Sequence, residues 1–311
     1  LRSSSAASDV YKRQAVAAAQ QLGTAATIAV TDRVGNVLGV YQMAGAASTT
    51  RIDGQIGAVG GLEGVDVPST FAAISKAGTG AYLSSQGNAF STRTASQIVQ
   101  ENFNPGERNQ PGGPLFGVQF SQLPCSDITV LNPQFAGGIP AGNNSLSAGL
   151  RGPRPLPLGL SADPGGLPLY KQGDPVGGIG VELDGSYTLD RDLTDFDDAP
   201  EERIALTAGT NGFEIPSERA ANRMFVAGKS LRLSDLNYDD LDPLPDVLPN
   251  LDPAQFQAVA LFTDGQVRAG ATFGTADSGV LNLQRAGANA AILVDEAGAP
   301  RFPSRTGSAL A

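Results

Sequence analysis

Two short stretches constrain this chain more than anything else in it. "TIAVTDRVGNVLGVYQM", residues 27 to 43, and "LPLYKQGDPVGGIGVEL", residues 167 to 183, each read as strand, tight turn, strand. In the first, Ile28 and Val30 share a face, and Asp32-Arg33-Val34-Gly35 has Asp first and Gly fourth, as a type I turn prefers. Val37, Leu38, Val40, Tyr41 and Met43 then occupy both faces of the return strand, so the sheet is expected to be covered on both sides. In the second, the bend is placed at Gly173-Asp174 with Pro175 at a strand start, and Gly177, Gly178 and Gly180 leave one strand face bare. A bare face lets something approach closely, either a helix or a flat ligand.

Between the hairpins lie helical segments. Ala15 to Leu22 is Ala-rich and Gly23 suits a left-handed cap. Pro68-Ser69 announces a helix in which Phe71, Ile74 and Gly78 form a stripe, with Ala77 and Ala81 alongside. Thr94 and Gln97 form a capping-box pattern for a further helix that Asn104-Pro105 stops, and Asp198 with Glu201 does the same ahead of a helix closed by Gly209. Residues 104 to 164 hold too much Pro and Gly for regular elements and read as one long elaborated loop, in which "RPLPL" is either a rigid surface turn or a polyproline II segment. Late in the chain, "AVALFTDGQVRAGATFG" is expected to turn at Asp264-Gly265 and "AAILVDEAGAPRF" at Asp295 to Gly298.

Absences exclude much of the familiar chemistry. With no histidine among 311 residues there is no Ser-His-Asp triad, no His-ligated zinc and no histidine axial ligand. The single cysteine, Cys125, lacks a histidine base and cannot form an internal disulfide. A net charge of -10 repels nucleic acid. No run of about 18 apolar residues is present to span a membrane. "GAVGGLEG" and "GGIGVE" miss the spacing of a dinucleotide fingerprint. The Asp190 to Asp198 run and "DLNYDDLDPLPD", residues 235 to 246, each read as a solvated acidic turn or an oxygen-ligand cation site, the turn being favoured. The helix around Lys76 has small residues at Ala77, Gly78, Gly80 and Ala81, with Lys76, Thr79 and Tyr82 available for polar contacts; close packing and a planar ligand both account for it.

Taken in order, "IAVTDRVGNVLGVYQM", "AAISKAGTGAYLSS", "GGLPLYKQGDPVGGIGV" and "EERIALTAG" resemble the GlcG/HbpS-type haem-binding family, related to the C-terminal domain of the PduO corrinoid adenosyltransferase. The positions that carry the resemblance are Val30, Asp32 and Gly35; Lys76 and Ala77; Gly165, Gly166 and Pro168; Gly178 to Val181; and Glu201 to Gly209, over residues 15 to 43, 70 to 100 and 165 to 209. The resemblance implies an α/β (α+β) fold, a profilin-like sandwich with a mainly antiparallel sheet flanked by helices, here with extra C-terminal hairpins, and a homo-oligomer. It also implies a non-enzymatic role in binding haem, or a corrinoid as the alternative, with a tetrapyrrole as small-molecule partner.

The site expected from the resemblance comprises Lys76, Thr79, Tyr82, Arg93 and Gly178, with iron ligation by Tyr82, Lys76, Thr79 or Met43 and Arg93 meeting a propionate; the alternative for Arg93 is a surface arginine. Two rival readings stand beside it: a structural or interaction protein with the same fold and no cofactor, and a carboxylate-dependent enzyme accessory to 2-hydroxy acid metabolism. The organisation expected is a non-native leader at 1 to 14, which resembles a translated sequencing adaptor, a GlcG/HbpS-like domain at 15 to 209, and an extension at 210 to 311 packed on the same sheet or forming a partial second unit. A periplasmic or secreted location is expected.

Overall fold

The computed structural model describes residues 2–53, 63–100, 103, 112–116, 156–192, 195–258, 280–285 and 288–293. The chain divides into two compact units, one of Leu1–Ala148 with Arg154–Gly265 and one of Gly149–Pro153 with Gln266–Ala311.

In the first unit the two ribbons read from the sequence lie side by side. Strands β1 (Thr27–Asp32) and β2 (Val37–Gln42) form one hairpin; β5 (Gly166–Lys171) and β6 (Asp174–Glu182) form the other; and the sheet runs β2-β1-β6-β5, antiparallel throughout. The join is β1 against β6, from Thr27 opposite Glu182 to Asp32 opposite Gly177. Two short strands between the hairpins, β3 (Thr49–Ile52) and β4 (Asp66–Pro68), make a smaller sheet with β7 (Ser186–Tyr187), where β3 and β7 are parallel.

Each hairpin turn follows from its residues. In the first, Gly35 N–H donates to Asp32 O and Asp32 Oδ1 accepts from Val34 and Asn36 N–H, so Asp at the first position holds the turn by its side chain. In the second, the bend is Gln172-Gly173, one residue earlier than Gly173-Asp174; both have positive φ, which suits the right-handed twist of a two-residue loop. Pro175 falls second in β6, where the register slips between Leu169 and Tyr170.

Helices cover both faces of the main sheet, as the two-sided apolar pattern of β2 requires. Helix α2 (Ser69–Tyr82) lies on one face, where Ala73, Ile74 and Ala77 pack with Ala29 and Val40. Helices α1 (Arg2–Gln21) and α4 (Ala199–Ala208) pack together on the other, with Ala15, Val16, Ala19, Ile204 and Ala205 in one core with Ile28, Val30, Ile179 and Val181. Each fully buried Ile or Val there contributes about 1.5–3 kcal/mol.

Helix α1 starts well before Ala15, because no proline or glycine interrupts the preceding residues, and it ends at Gly23, whose φ is 68°. Its Tyr11 is buried edge-to-face against Phe213. Helix α3 (Thr92–Val99) starts three residues earlier than the sequence pattern suggested: Ser91 is the cap, its side chain and that of Thr94 exchanging backbone N–H bonds.

The chain itself lies along both outer edges of the main sheet. Gln257 N–H donates to Val40 O of β2, and Tyr170 N–H of β5 donates to Phe213 O. In the second unit, β10 (Val280–Arg285) pairs antiparallel with β11 (Ala288–Leu293). The late "AAIL" is thus a strand, paired with residues 280–285. The turns expected at Asp264-Gly265 and Asp295 to Gly298 lie outside the described residues, as do Cys125 and most of the 104 to 164 segment. The remaining short strands, β8 (Phe225–Val226) and β9 (Lys229–Ser230), pair with each other.

Candidate functional site

The bare strand face at Gly178 accommodates a helix. A Cβ on Gly178 would sit 2.1 Å from Ala77 O, and one on Gly180 would sit 2.1 Å from Ala73 O, so the backbone of α2 rests directly on β6. That approach leaves no room for a planar group between Gly178 or Gly180 and α2. Helix α2 is buried on its outer side too: Leu158 N–H donates to Ser75 Oγ, Ser161 N–H donates to Thr79 Oγ1, and Leu156 packs over Gly78. The end of the long expected loop is therefore an ordered cover on this helix. Close helix packing, the first of the two readings of its small residues, is what they serve.

That burial carries Lys76 into the interior, where three carboxylates meet it. Lys76 Nζ lies 2.6 Å from Glu201 Oε2, 2.7 Å from Asp163 Oδ2 and 3.0 Å from Glu182 Oε2, with the lysine side chain fully enclosed. Only the Glu201 contact has hydrogen-bond alignment. Asp163 Oδ2 and Glu182 Oε2 are close ion-pair partners that accept no aligned bond. Glu182 is further held by the Thr50 hydroxyl, and Glu201 Oε1 accepts from Leu183 N–H.

Burial raises the pKa of Asp163 and Glu201 well above the carboxylate range and raises Glu182 as well, against the pull of Lys76. Burial alone lowers a lysine, but three carboxylates outweigh it and Lys76 is raised well above its ordinary value. Glu182 and Glu201 also lie with the exposed Asp184 in a carboxylate cluster, but Lys76 already supplies the positive charge there.

A second cluster forms around Arg93, which is neither a surface residue nor turned outward. Its side chain is 1% exposed and meets Asp190 at Nη1, Glu202 at Nε (2.9 Å), and Asp235 (2.6 Å) and Asp198 (3.4 Å) at Nη2. Glu202 Oε2 in turn accepts from Asp235 N–H and the Ser234 hydroxyl. Burial pushes Asp198 up to about 7 and Asp190 up to about 6, with Arg93 opposing. The two acidic runs are thus only partly solvated turns: Asp192, Asp195 and Asp197 face solvent, whereas Asp190, Asp198 and Asp235 turn toward Arg93. Asp198 makes no side-chain cap on α4 because its carboxylate is directed at Arg93, and Glu201 is directed at Lys76.

The remaining expected residues separate by depth. Thr79 Oγ1 is buried, donating to Ser75 O and accepting from Ser161. Tyr82, at the end of α2, is half-buried and its hydroxyl donates to Val34 O in the first hairpin turn. It lies over Gly35, where a Cβ would collide with the phenol oxygen, and Arg33 donates to Ala81 O and Ser84 O beside it. The Gly of the first hairpin and the Tyr of α2 are therefore a packed pair. Met43 is half-buried at the end of β2.

The fold and these clusters define an α/β sandwich, mainly antiparallel, whose interior is pinned by two buried ionic groups. No family model matches the chain, and no curated protein matches it. Among solved structures it is similar to the DUF336 protein ORFY of Klebsiella pneumoniae, at 17% identity over 66% of this chain and 86% of that one, with a TM-score of 0.34. It is also similar to the PduOC:heme complex (19% identity, 64% of this chain, 87% of that one, TM-score 0.33) and to a double mutant of HbpS from Streptomyces reticuli (20% identity, 66% and 82%, TM-score 0.31).

Proposed function

We propose that this chain is a non-enzymatic tetrapyrrole-binding module of the GlcG/HbpS type, with haem as the ligand and a corrinoid as the alternative. The supporting observation is that the four sequence blocks carrying the family resemblance, separated by long stretches of chain, pack together as β1–β2, α2, β5–β6 and α4 of one body. Lys76, Thr79, Arg93 and Gly178 serve that scaffold from within. Ligand contact then falls to the outer end of α2, where Tyr82 brings an oxygen to the half-exposed margin beside Val34 and Gly35.

A second reading, an interaction protein of the same fold without a cofactor, is favoured by one specific observation: both cations of the expected site are already enclosed by carboxylates. Titration of the full chain with haemin, followed at the Soret band, separates the two. Saturable, stoichiometric binding that weakens in Tyr82→Phe supports the haem reading. A spectrum equal to free haemin plus protein removes it and leaves the interaction reading. Sedimentation of the same sample tests the homo-oligomer.

A further inference from the structure

We infer that Lys76 and Asp163 condense into an intramolecular isopeptide bond, with Glu201 carrying the protons. Nζ of Lys76 lies 2.7 Å from Asp163 Oδ2, and neither side chain is open to solvent, at 0% and 4% exposure. Asp163 Oδ2 is buried with Lys76 Nζ as its ion-pair partner, so its desolvation is offset by that one contact, and amide formation removes the buried charge altogether. Asp163 also belongs to the connecting segment before β5, outside any helix or strand, whereas Glu182 and Glu201 are anchored in β6 and α4. Of the three carboxyl groups, it is the one whose backbone is free of ladder or helix bonds.

The surroundings supply the conditions that amide formation lacks in water. There, the amine is protonated and the acid ionised, so nucleophile and electrophile are both absent. In this enclosed group burial favours the neutral form of the Asp163 carboxyl, as it does that of Glu201, and a Glu201 oxygen touches Nζ at 2.6 Å, in reach of its proton. Contact distance between the reacting groups replaces a bimolecular encounter. Glu182, held by Thr50, keeps a further oxygen 3.0 Å from Nζ and orients the amine.

The step balances without a co-reactant. The ammonium of Lys76 passes a proton to Glu201, and the freed electron pair of Nζ attacks Cγ of the Asp163 acid to form the C–N bond. Glu201 returns its proton to the departing hydroxyl, which leaves as water when the C–O bond breaks. The carboxylate then takes the remaining excess proton from nitrogen. Ammonium, carboxylate and acid thus become a secondary amide, one water and the acid of Glu201; nothing is oxidised or reduced.

Intact mass of the full chain under denaturing conditions, with tryptic mapping, tests this. The expected result is a mass one water below that of the sequence, no cleavage after Lys76, and a branched peptide joining the Lys76 and Asp163 segments. A full sequence mass with cleavage after Lys76 overturns the proposal. So does loss of water without a branch, which marks a succinimide at an Asp-Gly sequence such as Asp184-Gly185, or a branch to Glu182 or Glu201. Glu201→Gln is expected to restore the full mass, and a branch persisting in that variant overturns the role of Glu201. The unaltered chain decides whether the bond exists, irrespective of how the Glu201→Gln variant folds.

Discussion

Glu201 and Glu202 are neighbours in the chain yet answer different buried cations: Glu201 meets Lys76 at 2.6 Å and Glu202 meets Arg93 at 2.9 Å. Successive residues leave a helix roughly 100° apart, so one turn of α4 reaches both clusters at once. Through Lys76 it is tied to α2, β6 and the 156–163 cover; through Arg93 it is tied to α3 and the 234–235 segment.

Lys76→Met removes the nitrogen that Asp163, Glu182 and Glu201 surround, the one cation source facing them among the described residues, and with it any bond formed there. Breaking a buried pair from one side costs about 3–5 kcal/mol. The urea midpoint should fall accordingly, and a midpoint within error of the parent would show that the carboxylates relax at no cost.

Arg93→Lys keeps the charge but loses the planar fork that meets four carboxylates in different directions. A loss of about 2–3 kcal/mol is expected from the charged hydrogen bonds that go unmade, read by chemical unfolding. Full retention of stability would reduce the cluster to a charge-balance role.

Stability should fall as pH rises from about 4 to about 7. Asp190 and Asp198 have folded pKa values of about 6 and about 7 against 3.8 for the free group. In that window the folded chain holds protons that the unfolded chain has released, so raising pH draws the equilibrium toward unfolding. Their favourable contribution is complete below 3.8 and is lost through about 7. Urea midpoints at pH 5 and pH 8 check the sign, and Asp198→Asn should flatten the slope. A midpoint rising toward pH 8 would refute the assignment.

Gly180→Ala sets a methyl group against Ala73 O at 2.1 Å, where backbone cannot step aside. Overpacking of this kind costs about 1–3 kcal/mol. Gly87→Ala is the control, since its nearest contact is Ser85 Oγ at 3.7 Å, and a surface change of that sort stays within about 0.5 kcal/mol. Equal melting temperatures for the two variants would contradict the close approach of α2 to β6.

The sheet was legible from local chemistry: Asp32 and Gly35 specify a turn, apolar residues on both faces of β2 require two covering layers, and glycines at 178 and 180 require a near neighbour. The ion clusters were not. Sequence near Asp190, Asp198 and Asp235 has the composition of solvated turns, and Asp198 with Glu201 has the spacing of a cap. What redirects them is a long-range event, the burial of Lys76 and Arg93, whose own neighbours in sequence carry no opposite charge. The adjacent acids at 201 and 202, just inside a helix start, are the one local trace of two inward targets. Burial of Lys76 along a face of Ala and Gly was foreshadowed by that face, but its partners Asp163 and Glu182 come from distant segments.

The backbone bonds at Gln257 and Phe213 have a consequence for encounters between copies. A newcomer strand seeking to extend the four-stranded layer at Val40 or at Tyr170 finds the position taken by the protein's own main chain. Growth by strand addition at those two points must first peel away a resident segment, so the main sheet is guarded there against runaway fibre formation.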